Sequence, residues 1–295
     1  MTSKPIFKGV ASALITPLNE NGVDYASMDS LIDWQIEKGI NALVIAGTTG
    51  EGSTLHDKDH RDVIAWSVKK IAGRVPVIVA TGSNDTSYAV SLTQFAGEAG
   101  ADAALVVTPY YNKATQNGLV KMYSTIADAS KVPLILYNVP SRTGINIEPA
   151  TYAKLADHPM IRGIKEANGD ISKIMKTAHL VGNKLDIYSG NDDQIVPILS
   201  VGGIGVISVL SNLMPAETVA ICDKFFNGDV KGSAELQLKL LPLINALFSE
   251  VNPIPIKAAM ARIGKCKNIV RLPLTQMENE NFAKLEALMK EQGLI

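Results

Sequence analysis

Pro133-Leu-Ile-Leu-Tyr-Asn-Val-Pro-Ser-Arg-Thr-Gly144 reads as a short apolar strand that runs directly into a loop punctuated by proline and glycine. Its apolar residues are contiguous and do not alternate with polar ones, so both faces of the strand are covered, as in a parallel sheet. Working outward, seven more runs of this kind appear: Val10–Ile15, Ala42–Ala46, Pro76–Ala80, Ala103–Val107, Ile161–Lys165, Leu185–Ser189 and Gly205–Leu210. Between them lie polar, helix-like stretches. After Asp24, Met28, Leu31, Ile32 and Ile36 share one helical face and Gly39 offers a left-handed stop. From Asp85 to Ala99, Val90, Leu92 and Phe95 repeat the design, with Asn84 or Asp85 as cap and Gly100 as terminator. Eight βα units predict an α/β fold, a (β/α)8 TIM barrel over residues 1–212, with a doubly wound sheet as the alternative. Residues 213–295 contain no further strong strand and read as a C-terminal helical extension, with helices over Pro215–Phe226 and Ala234–Phe248 and no linker.

The composition is that of an ordinary globule: 295 residues, 46% hydrophobic and 19% charged. With 28 basic against 29 acidic side chains and no basic run, the chain has no electrostatic footprint for nucleic acid or an anionic membrane. Gln194–Ala216 is long enough to cross a bilayer and carries no formal charge, but Pro197, Gly202, Gly203 and Gly205 would break a spanning helix, so it is expected inside the barrel. The N-terminal stretch lacks the apolar core of a signal peptide. Cys222 and Cys266 stand far apart without metal-ligand spacing, so the expectation is a cytoplasmic protein without disulfides or metal.

Catalytic groups of such a barrel sit where strands end. Lys165 closes an apolar strand. A strand-end lysine ordinarily snorkels to solvent or pairs with a neighbour such as Glu166, but in a dry pocket its amine loses its proton more readily and becomes a nucleophile toward carbonyls. None of His56, His60, His158 and His179 ends a strand, which leaves tyrosine hydroxyls for proton transfer: Tyr137 at the end of strand five, next to the strand bearing Lys165, and Tyr111 after strand four. Gly47-Thr-Thr-Gly50 supplies hydroxyls and turn N–H groups suited to a carboxylate, and Arg142 could clamp a second one. Each of these also has an ordinary structural reading as a packed aromatic, a plain βα turn or a solvated loop arginine.

Together, Gly47-Thr-Thr-Gly-Glu51, Thr108-Pro-Tyr-Tyr-Asn112, Tyr137–Gly144, Gly163-Ile-Lys-Glu-Ala167 and Asn252-Pro-Ile-Pro-Ile-Lys257 resemble the dihydrodipicolinate synthase/N-acetylneuraminate lyase family over essentially the whole chain. The resemblance implies a lyase without cofactor that condenses pyruvate with L-aspartate 4-semialdehyde in lysine and diaminopimelate biosynthesis. It casts Lys165 as the Schiff-base residue and Tyr137, Thr48 and Tyr111 as the proton relay, the last reaching into a neighbouring subunit. It makes Thr49, Arg142, Gly190 and Ile207 substrate-binding, and it implies a homotetramer built from tight dimers. Arg142 favours the synthase branch over a neuraminate lyase or other sugar-acid aldolase. A non-catalytic keto-acid sensor is the alternative outside enzymes. Ser53, Asp57, His60, Asn84, Tyr88 and Tyr110 match a regulatory lysine site of the family. Tyr88 replaces a glutamate there and Asp57 a histidine, so weak or absent inhibition is expected.

Overall fold

The computed structural model describes residues 4–295; Met1–Ser3, part of the N-terminal stretch read above, lie outside the described residues. Eight strands, β1 (Gly9–Ala13), β2 (Ala42–Ile45), β3 (Val77–Ala80), β4 (Ala103–Val107), β5 (Leu134–Asn138), β6 (Ile161–Glu166), β7 (Asp186–Ser189) and β8 (Gly205–Ser208), pair in parallel in sequence order. β1 closes the ring on β8 through Gly9–Gly205 and Val10–Val206 register. The barrel expectation holds, and the doubly wound alternative does not.

Seven helices cover the barrel between and after these strands: α1 (Tyr25–Glu37), α2 (Asp57–Ile71), α3 (Thr86–Glu98), α4 (Gln116–Ala129), α5 (Pro149–Leu155), α6 (Ile171–Val181) and α7 (Ile195–Ser200). The caps act as the residue types dictate. Asp24 accepts from the Ser27 amide and Asp85 from the Ser87 amide, while Gly39 and Gly100 both adopt positive φ just past their helices. Four more helices follow: α8 (Pro215–Phe226), α9 (Val230–Ala246), α10 (Ile254–Arg262) and α11 (Asn279–Glu291). They share one apolar core with the barrel wall, in which Leu240, Met260 and Leu285 belong with Val10, Leu31 and Ile45.

Among the expected boundaries that shift, including the first strand (Gly9–Ala13 in place of Val10–Ile15), two have identifiable reasons. The last strand stops at Ser208 because the buried Asp192 carboxylate accepts from the Val209 and Leu210 amides (3.0 and 2.9 Å), taking them out of the ladder. α9 begins at Val230, before Ala234, because Asp229 caps it by accepting from the Gly232 amide. The uncharged Gln194–Ala216 stretch becomes α7, β8 and the start of α8, and among the described residues no helix is long and apolar enough to cross a membrane.

A separate cluster fills the barrel interior: Ala11, Ala13, Ala42, Val44, Ile78, Leu105, Ile135, Tyr137, Tyr188 and Ile207. Small residues on β1 and β2 face larger ones opposite. Strand alternation puts Lys165 on this inner face and Glu166 on the outer one. The outward Glu166 is buried against other partners, accepting from Asn138 Nδ2 (2.8 Å), the Tyr152 hydroxyl (3.0 Å) and the Asn168 amide (3.1 Å). The two neighbours in sequence therefore do not neutralise each other.

Candidate active site

A cavity of about 460 Å³ opens where the strands end, and Thr48, Thr49, Tyr137, Arg142 and Lys165 all line it. β5 and β6 are paired with Tyr137 opposite Lys165, so the register itself sets the two side by side. The Lys165 Nζ lies 4.2 Å from the Tyr137 ring centroid. Both are nearly inaccessible, at 6% and 7% exposed. Among the described residues Lys165 makes no ion pair. Burial, and secondarily the Arg142 charge, bring its amine down to about 7, with Asp192 pulling the other way. At neutral pH a large fraction is therefore the free base.

Burial raises the Tyr137 hydroxyl above its ordinary value, partly offset by Arg142 and by a hydrogen bond with Thr48. It is a proton donor at neutral pH with a partner already in place. Arg142 stands on one helical turn, Pro140–Thr143, which Gly144 terminates at φ +70. The turn is pinned by Thr143 Oγ1, which lies 3.0 Å from Thr108 Oγ1 at the end of β4.

The Gly47–Glu51 turn is tightly built. A Cβ at Gly52 would lie 2.0 Å from the Ala46 carbonyl oxygen, so only glycine allows the chain to fold back there. Ala46 and Glu51 both hold left-handed backbone (φ 54 and 55), a conformation costly without glycine and sustained by surrounding contacts such as Thr16 Oγ1 donating to the Gly50 carbonyl (2.7 Å). Gly190 abuts the lysine, since a Cβ there would lie 3.2 Å from Lys165 Cε. Ile207 is fully buried among the interior residues.

Tyr111 is the exception. It is 94% exposed, adopts φ +71 and stands outside the cavity lining of its own chain. The single chain does not bring it to Thr48 and Tyr137.

A sequence model of the Dihydrodipicolinate synthetase family matches residues 6–292. The chain belongs to that family. It is 51% identical over 290 residues to 4-hydroxy-tetrahydrodipicolinate synthase of Clostridium perfringens strain 13, covering 98% of this chain and 100% of the relative. Its structure resembles dihydrodipicolinate synthase of Thermotoga maritima with TM-score 0.96 and 41% identity, covering 98% of this chain and 100% of that one. It is also similar to the Acinetobacter baumannii dihydrodipicolinate synthase solved in complex with pyruvate, with TM-score 0.95, 40% identity, and 98% and 99% coverage.

In this dihydrodipicolinate synthetase family member four of the six residues matched to a regulatory site, Ser53, His60, Tyr88 and Tyr110, line the same cavity. Asp57 accepts from Arg61 Nε at 3.0 Å and is hydrogen-bonded to the Tyr88 hydroxyl, so the carboxylate is already satisfied within the chain. Asn84 Nδ2 donates to the Tyr110 carbonyl at 3.2 Å.

Three groups to which the sequence reading gave no role brace this site. Glu51 and Lys257 form a fully buried ion pair across 206 residues of sequence. Asn252 Nδ2 donates to Thr49 Oγ1 at 3.0 Å. Asp192 is the carboxylate whose charge Lys165 feels. One signal was present: Lys257 closes the otherwise uncharged run Asn252–Lys257, and a cation in such a run needs a buried partner.

Proposed function

We propose that the protein is a 4-hydroxy-tetrahydrodipicolinate synthase that condenses pyruvate with L-aspartate 4-semialdehyde through a Schiff base on Lys165, serving lysine and diaminopimelate biosynthesis. The observation that carries this is the unpaired, desolvated Lys165 in contact with Tyr137 at the mouth of a family barrel. The neutral amine attacks the C2 carbonyl of pyruvate, and the carbinolamine loses water to give an iminium. Tyr137 supplies the proton that leaves with that water, and its oxygen, hydrogen-bonded to Thr48, is left as the base for the next step. The iminium draws off the electrons of a C3–H bond while the Tyr137 oxygen takes the proton, and the resulting enamine carbon attacks the aldehyde carbon of the semialdehyde, whose oxygen receives that proton and becomes a hydroxyl. The amine of that substrate then displaces Lys165, closing the ring and regenerating the enzyme.

The Thr48–Thr49 turn holds the pyruvate carboxylate and Arg142 that of the semialdehyde, while Gly190 backs Lys165 and Ile207 lies in the barrel interior, neither of them lining the cavity. Both substrates are small anions, so a near-neutral chain with local donors suffices. No metal or organic cofactor takes part. Tyr111, which projects from its own chain, completes the relay of a second copy, so the working unit is at least a dimer and the assembly a homotetramer of such dimers. A cytoplasmic setting suits the two unpaired cysteines. The catalytic barrel runs as far as residue 212, and residues 213–295 are its helical extension.

The regulatory residues do not form a lysine site here. Tyr88 offers no carboxylate to an ammonium, and Asp57 is neutralised by Arg61. Titration with lysine should leave turnover unchanged; half-inhibition at sub-millimolar lysine would contradict this. The reaction itself is tested by incubating the protein with pyruvate and L-aspartate 4-semialdehyde. Both should disappear in equal amounts, with no consumption when N-acetylmannosamine replaces the semialdehyde. Pyruvate bound without turnover would identify a sensor.

A further inference from the structure

Thr49 and Asn252 are both buried, and they meet from opposite ends of the chain. A threonine hydroxyl has one proton and two lone pairs, so what it can offer a ligand depends on what its neighbours already take. Asn252 Nδ2 donates to Thr49 Oγ1, filling a lone pair and leaving the hydroxyl proton free, and Thr49 lines the cavity. The carbonyl oxygen of the same amide, Asn252 Oδ1, is buried without a hydrogen-bond partner among the described residues. The opposite orientation of the amide would let Oδ1 accept from Thr49, but it would also consume the proton that the cavity receives.

From this arrangement we infer that Asn252 is a positioning residue that directs the Thr49 hydroxyl proton toward the carboxylate of the bound keto acid. The inference rests on the reading of the cavity as a keto-acid site. The backbone around Asn252 is fixed to the same turn by a second set of bonds. Asn252 leads into α10, whose Lys257 pairs with Glu51, two residues beyond Thr49, and also donates to the Ile269 carbonyl at 2.6 Å. The other Glu51 oxygen accepts from the Arg271 amide at 2.9 Å, and the Arg271 guanidinium donates to the Thr54 carbonyl at 3.1 Å. The helical extension thus holds the carboxylate-binding turn at two points, one ionic behind it and one aimed at its hydroxyl.

Asn252 touches no reacting atom, so its loss should act on keto-acid affinity more than on the chemical step. Asn252→Ala should raise KM for pyruvate by about tenfold, the effect of losing one oriented hydrogen bond to a charged group. KM for the semialdehyde and kcat at saturating pyruvate should change little. Asn252→Asp should raise the pyruvate KM further, because its carboxylate both captures the Thr49 proton and repels the substrate. The deciding comparison is with Thr49→Val, which has no hydroxyl to orient: adding Asn252→Ala to it should leave the pyruvate KM unaltered. An equal increase in both backgrounds, or none in either, would overturn the inference and mark the contact as structural packing. Should Asn252→Ala not fold, the milder Asn252→Ser, with thermal melting recorded alongside, carries the same comparison. Borohydride trapping of pyruvate on the unmodified enzyme separates the two levels: no wild-type adduct overturns the site reading and this inference with it, whereas a wild-type adduct with unchanged Asn252 variants overturns the inference alone.

Discussion

Two lysines are buried among the described residues, and they are treated in opposite ways. Lys257, 0% exposed, faces a carboxylate and a backbone carbonyl; Lys165, 6% exposed, faces a tyrosine ring and an arginine that repels it. Burial pushes both amines down from the ordinary lysine range, but for Lys257 the Glu51 charge and hydrogen bond oppose that shift. An ammonium with a buried carboxylate partner stays charged and does structural work, whereas one left without a partner gives up its proton and can attack a carbonyl. The contrast between the two sites carries the proposal that Lys165 is the nucleophile further than either site does alone.

The largest effect that could break the comparison comes from Lys165→Met. Turnover should fall by at least about a thousandfold, while the fold becomes more stable. The amine binds its proton more weakly in the folded chain (about 7) than in the unfolded one. Unfolding is therefore favoured most below about pH 7, and stability rises as pH climbs from there toward the ordinary lysine range. Removing the group should relieve a cost of about 4 kcal/mol at neutral pH. Melting curves of both proteins at pH 6 and pH 9 check this, and the gain should be greater at pH 6. A destabilised Lys165→Met would break the account.

Lys257→Met should do the opposite, costing about 3–5 kcal/mol because it strands the Glu51 charge in a dry site. Denaturant unfolding should show much of that loss recovered in the Glu51→Gln/Lys257→Met double variant. Smaller still is the effect of Arg142→Ala. The pyruvate imine should still form, but condensation should fall by about a hundredfold, and the acid limb of imine formation should move above its position near pH 7, since the charge that lowers the Lys165 amine is gone. Equal loss of both steps would remove Arg142 from its assigned role. Smallest is Asp192→Asn. Asp192 pulls the Lys165 amine upward, so its neutralisation should shift the same limb to lower pH.

What could be read in the sequence follows from how local the cause is. The eight strands were legible because apolar runs bounded by Pro, Gly and Asn report burial within a few residues. Lys165 and Tyr137 were legible because a barrel gathers its strand ends, so position along a strand implies position in the site. That Glu166 could not neutralise Lys165 follows from strand alternation alone. The Glu51–Lys257 pair and the Asn252–Thr49 contact span more than 200 residues, and no local pattern announces which buried charge will meet which. Asp192 was hidden differently: it ends a strand by capturing two amides from the next, a role with no periodic signature. Tyr111 is exposed and does not line the cavity of its own chain, and its position after a strand did not announce that.

The central claim is that the unpaired lysine, and not the paired one, is the nucleophile. Incubating the protein with pyruvate and borohydride, followed by peptide mapping by mass spectrometry, tests it most directly. One reduced pyruvyl group per chain on Lys165, with Lys257 unmodified, is the predicted result. An unmodified Lys165, or an adduct on Lys257, would contradict it.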